Sequence, residues 1–210
     1  VVDISMKDGN INNFQVDGGI GLVASRFSIQ GPIKKDKASF ILSARRTYID
    51  ALVKPFISKT SSFNGSGYYF YDVNAKLNYR FSEKDRLYIS GYFGRDVFDF
   101  VNGKRSFQTN IPWGNSTATL RWNHVFNRRL FSNTTAVYND YNFKFSARQE
   151  TFKIELASGI RDISLKTDLD YYPFPDHKLR FGGMITSHKF IPNVVSGQQD
   201  SVIFKPNNET

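Results

Sequence analysis

The chain has 210 residues, 40% of them hydrophobic and 22% charged, with a formal net charge of +9 and a pI near 9.6. That length holds one domain or two small ones. The absence of cysteine excludes a disulfide scaffold and a thiolate metal site, and no stretch reaches the roughly 20 apolar residues of a membrane helix. Aromatic residues make up 16%, with 20 Phe and 11 Tyr, a composition that suits pleated surfaces and interfaces. The positive charge points to an anionic partner, but it is dispersed along the chain rather than gathered in one arm, which argues against nucleic acid.

The first informative stretch is GGIGLVASRF, 18–27. Gly19, Gly21 and Ala24 fit the G-x-G-x-x-[GA] loop that cradles a dinucleotide pyrophosphate. A true loop of that kind follows a buried apolar strand and opens a helix. Here NNFQVD precedes it, and RFSIQGPI follows, alternating and ending on Gly31-Pro32. A single wall strand is expected instead, with glycines for close backbone approach or curvature. Strict parity with Ile20, Leu22 and Ala24 would put Arg26 on the apolar side.

Period-2 alternation then recurs along the chain. In 71–81, Tyr71, Val73, Ala75, Leu77, Tyr79 and Phe81 face one side, and Asp72, Asn74, Lys76, Asn78 and Arg80 the other. Similar strands are expected over 38–48, where Ile41 breaks the pattern, and over 87–93, 116–123, 163–171 and 179–188; the faces of 130–143 are not assigned. Spacers alternate between short (33–37, 82–86, 126–130, 173–178) and long (50–68, 100–112, 145–157 and the tail after Phe190). About eight strands in hairpins, with tight turns at one end and long loops at the other, are the pattern of a transmembrane β-barrel. A soluble sheet has the same alternation. Strand lengths above the usual 5 or 6 residues, and aromatics near strand ends such as Trp122, Tyr171 and Phe174, favour the membrane.

Four segments carry a resemblance: DISMKDGN (3–10), GGIGLVASRFSIQGPIKKDKASFILSARRTYID (18–50), YYFYDVNAKLNYRFSEKDRLYISGYFGRD (68–96) and WGNSTATLRWNHVFNRRLFSNTTAVYNDY (113–141). In this order they resemble the early barrel of TonB-dependent outer-membrane receptors of the Bacteroidetes type. The likeness is good over 1–145 and looser beyond. It implies a roughly 22-stranded barrel filled by a plug. Residues 1–12 would end the plug and link it to the barrel, with DISMKDGN as its last strand, and 13–210 would form the first part of the wall. The implied function is import of a scarce nutrient across the bacterial outer membrane, energised by the TonB–ExbB–ExbD complex through the plug. Outer-membrane lipid, lipopolysaccharide and a surface lipoprotein are the other implied partners. The opening VVDISMKDGN shows no secretion signal, and the ending FKPNNET no closing element, so a piece of a longer protein is expected. The alternative is a small self-contained outer-membrane barrel with a structural or adhesive role.

Candidate residues follow from the faces. Arg45, Asp72, Asn74, Lys76, Arg80, Arg121, Lys166, Asp168, Asp170 and Arg180 are expected to face the lumen or plug, where unpaired charge is costly. Arg46, the next residue after Arg45, would face outward at the rim, toward lipopolysaccharide phosphates. Tyr68, Tyr69, Phe107 and Trp113 flank the expected long loops and are the ligand-binding candidates. His124, His177 and His188 lack metal-ligand spacing, and no nucleophile–base pair stands out. Neither enzyme activity nor a metal or other cofactor is expected.

Overall fold

Ten strands, each paired to its successor in the chain, form one antiparallel sheet. The computed structural model describes residues 6–58, 61–62, 64–199 and 202–204. The strands are β1 (Gln15–Ile20), β2 (Ala24–Lys34), β3 (Ala38–Thr47), β4 (Gly67–Arg80), β5 (Asp85–Asn102), β6 (Phe107–Asn127), β7 (Leu130–Gln149), β8 (Phe152–Phe174), β9 (His177–Gln199) and β10 (Val202–Phe204). One short helix, α1 (Ile49–Val53), lies between β3 and β4. The sheet is open, with β1 and β10 at its edges.

The register aligns the alternation across strands into two opposite faces. One row reads Gly31–Phe40–Leu77–Ile89–Leu120–Ala136–Leu165–Ile185. On the other face a row reads Ser28–Ser43–Asn74–Tyr92–Thr117–Asn139–Asp162–His188. The apolar row is not covered. Among the described residues only Ala38 and Val97 are buried apolar side chains, whereas Ile185 is 72%, Ile163 60% and Phe181 54% exposed. A water-soluble sheet hides such a face under a second layer.

Several expectations are corrected. GGIGLVASRF is a hairpin, not one strand: β1 stops at Ile20, the Gly21 amide bonds Ala24 O at 2.9 Å, and β2 starts at Ala24. Parity therefore does not carry across the turn. Arg26 pairs with Arg45 on the polar face and lies 3.8 Å from Asp17. The loops expected at 100–112 and 145–157 shrink to the short connections 103–106 and 150–151, and the tail after Phe190 continues in β9 and β10. The count is ten strands, not about eight. The described part of DISMKDGN, residues 6–10, forms no strand; residues 3–5 lie outside the described residues.

Strand length explains the missed loops. β8 has 23 residues, about 75 Å when extended, while a tilted strand needs only about 9–11 to cross a bilayer. Its outward apolar residues Ile163, Leu165, Leu169 and Tyr171 lie beside the Phe174–His177 turn. Residues 152–162 project beyond that band with the phase reversed: Lys153, Glu155 and Arg161 share the outward parity, and Phe152, Ile154, Leu156 and Ile160 the inward one. The projecting end also bears α1, and the opposite end carries tight turns.

Backbone approach is tight at one of two adjacent glycines. A Cβ on Gly182 would lie 2.2 Å from Thr167 O, whereas at Gly183 it meets nothing within 4 Å. Gly182→Ala is expected to cost about 1–3 kcal/mol through overpacking, and Gly183→Ala well under 1 kcal/mol. Denaturant unfolding of the two variants in detergent measures the difference.

Candidate functional site

The polar face gathers most of the charged side chains of the central strands, and pairing accounts for many of them. Arg45 on β3 stands opposite Asp72 on β4 and bonds it at 2.7–2.8 Å, with its guanidinium 4.9 Å over the Phe70 ring. Asp72 is buried, so the ion pair answers the cost of removing a carboxylate from water. Lys166 pairs with Asp168 at 2.9 Å, and Arg180 with Asp170 at 2.8 Å, with Lys178 3.5 Å from the same carboxylate. Arg121, Lys166, Asp168, Asp170 and Arg180 line one concavity of about 640 Å³. Arg80 donates to Asp36 O at 2.7 Å. Arg121 has no carboxylate within 4 Å among the described residues. Asn74 lies in register with Ser43 and Tyr92.

The segment before β1 lies on this face. Lys76 Nζ reaches Asp8 at 2.6 Å and Met6 O at 2.8 Å. Ser39, fully buried, donates to Gly9 O at 2.8 Å and accepts from Asn78 at 2.7 Å. Gly9 runs so close that a Cβ there would sit 2.1 Å from Phe40 O. Residues 6–10 therefore form a strap clasped to β3 and β4.

The ligand-binding candidates separate into three places. Tyr68 and Trp113 share the polar face, stacked at 6.5 Å, and Tyr68 donates to Asp96 at 2.7 Å. That hydrogen bond, with burial and the Asp96 charge, pushes the Tyr68 phenol up to about 12, so it remains a donor at neutral pH. Tyr69 leaves this group: alternation turns it to the outward face, 5.5 Å from Arg46. Phe107 is on the Tyr68 face but six residues up β6 from Trp113, about 20 Å away, and contacts Phe100 at 6.3 Å.

Two carboxylate–histidine pairs were not foreseen in the sequence, because each joins residues far apart in the chain. His188 Nδ1 lies 2.7 Å from Asp162 on the polar face. His124 Nδ1 lies 2.6 Å from Asp85 at the tight-turn end, where Trp122 Nε1 also donates to Asp85 at 3.1 Å. The His124 hydrogen bond, followed by Ser82, holds the Asp85 carboxyl below its ordinary range. This contact persists at neutral pH and is lost as pH falls through that lowered value. No group of three or more His, Cys, Asp or Glu side chains placed to hold a metal occurs among the described residues.

The fold thus defines an all-β antiparallel sheet with one exposed apolar face and one charge-paired face. No family model matches the chain, and no curated protein matches it in sequence. Among solved structures, the ferric yersiniabactin uptake receptor FyuA from Yersinia pestis is similar, with TM-score 0.46 and 12% identity over 88% of this chain. The chain spans 38% of that receptor's length.

Proposed function

We propose that this chain is the early barrel wall of a TonB-dependent outer-membrane receptor that imports a scarce nutrient. The observation that carries the membrane reading is the apolar row from Phe40 to Ile185, continuous across seven strands without a second layer over it and backed by a polar face. Lipid is the solvent that stabilises such a surface without a second layer. The open edges of the sheet support a wall larger than ten strands, since unpaired backbone groups are not tolerated in hydrocarbon. The importer reading is supported by the ordered resemblance of residues 1–145 and by the strap, which occupies the polar face where a lumen-filling domain would sit. In this account Tyr68, held in place by its bond to Asp96, and Trp113 offer stacking surface near the projecting end, and the paired charges line a polar path. These residues bind and orient a ligand and perform no covalent chemistry.

The test is uptake by energised cells carrying or lacking the full gene, with radiolabelled iron chelates, cobalamin, oligosaccharides and peptides. The reading expects the protein in the outer-membrane fraction, and gene-dependent accumulation of one of these ligands that a protonophore abolishes. Gene-dependent entry unaffected by the protonophore would make it a passive pore, and recovery outside the membrane would sink the proposal.

A further inference from the structure

We infer that the outward groove over β2–β4 binds a phosphate-bearing membrane lipid of the leaflet on the projecting side, an inference that rests on the outer-membrane reading above. The groove, of about 640 Å³, is lined on its outward side by Phe27, Ala44, Val73, Tyr71, Tyr69 and Arg46. Phe27, Ala44 and Val73 form one cross-strand row that continues the apolar band, and Ser25, Arg46 and Tyr71 form the next row toward the projecting end. The groove is therefore apolar toward the band and cationic at its upper rim, the polarity of a lipid with its acyl chain in the bilayer and its phosphate at the surface.

Arg46 and Arg95 flank Tyr71 in one register row, two strands apart and so about 10 Å from each other at the backbone. Arg46 is 60% exposed, is oriented by the Tyr69 ring, and has Asp50 only at 3.9 Å. Arg95 is exposed and has no carboxylate within 4 Å among the described residues. Two other outward cations are paired, Arg161 with Asp140 at 2.7 Å and Lys153 with Glu155 at 2.8 Å, and neither lines this groove. Arg46 and Arg95 together place positive charge at the rim of this groove, and a surface cation contributes about 1 kcal/mol toward an anionic lipid.

The full chain in detergent, titrated with purified lipid A and followed by native mass spectrometry, tests this. Replacing both arginines, Arg46→Gln with Arg95→Gln, is expected to weaken binding about 30-fold, and the paired Lys substitutions to keep it within about threefold. Dephosphorylated lipid A is expected to bind the unaltered protein as weakly as lipid A binds the Gln pair. Equal affinity with and without phosphate, an unchanged Gln pair, or displacement by millimolar inorganic phosphate would overturn the lipid site. Heat-modifiable migration reports barrel folding separately. Its loss in the unaltered protein would sink the receptor reading, whereas normal migration with a phosphate-independent titration would sink this inference alone.

Discussion

Leu165→Arg is expected to prevent stable membrane assembly, while Met184→Arg on the neighbouring strand is expected to be nearly silent. Leu165 pairs with Ile185 on the outward face, and Met184 pairs with Lys166 on the inward one. Both side chains are exposed, 48% and 68% respectively, so a water-soluble sheet would tolerate arginine at either position within about 0.5 kcal/mol. In a barrel wall the positions differ. An arginine facing lipid costs about 2–4 kcal/mol near the midplane, and Leu165 lies within the outward band of Ile163 to Tyr171. At Met184 the guanidinium would enter the polar face, which already holds Arg121 and the ion-paired Lys166 and Arg180. Urea titration of each variant refolded into lipid vesicles reads the difference. A cost shared equally by both, or absent from both, would contradict the assignment of faces.

Gly9→Ala is expected to release the strap from the sheet. The added Cβ would fall 2.1 Å from Phe40 O and 3.1 Å from Ile41 N, and both are ladder atoms that cannot move without breaking pairing. The strap is the element free to yield. Its departure removes the Ser39 bond to Gly9 O and the Lys76 contacts to Asp8 and Met6 O. Bonds of that kind contribute roughly 0.5–1.5 kcal/mol each and more when charged, so residues 6–10 are expected to lose at least about 2 kcal/mol of protection while the sheet remains folded. Limited trypsin digestion checks this: cleavage after Lys7 should become more than tenfold faster, and cleavage within β6–β8 should not change. An unchanged rate at Lys7 would mean the clasp does not hold the strap.

The parts of this architecture legible in the sequence are those with a different solvent on each face. Residues 71–81 and 163–171 alternate cleanly because one side meets the apolar band and the other the polar face. The upper halves of the long strands escape a single-phase reading because the alternation reverses there: Phe143, Phe145, Ile154 and Leu156 share the inward parity, and Lys144, Arg148, Lys153 and Glu155 the outward one. The faces of 130–143 were obscure for a related reason. Ala136 and Tyr138 point outward among Thr134, Asp140 and Asn142, while Val137 points inward among Thr135 and Asn139. At 18–27 the glycines mark a real feature, but a hairpin turn rather than a curved strand, and that turn resets the parity that had seemed to turn Arg26 outward. Of the site, the charged face could be listed from parity alone. Which carboxylate answers which cation depends on cross-strand register, and so do the Tyr68–Trp113 stack and the loss of Tyr69 to the other face.

The central claim is that the outward face of this sheet meets lipid and the opposite face a polar interior. A spin-label scan of residues 162–169 in β8, in the full chain reconstituted in lipid, tests it most directly. Collision with oxygen is expected to peak at 163, 165, 167 and 169, and collision with a water-soluble nickel chelate to peak, if more weakly, at 162, 164, 166 and 168. Nickel accessibility equal at odd and even positions, or an oxygen profile of the opposite phase, would contradict it.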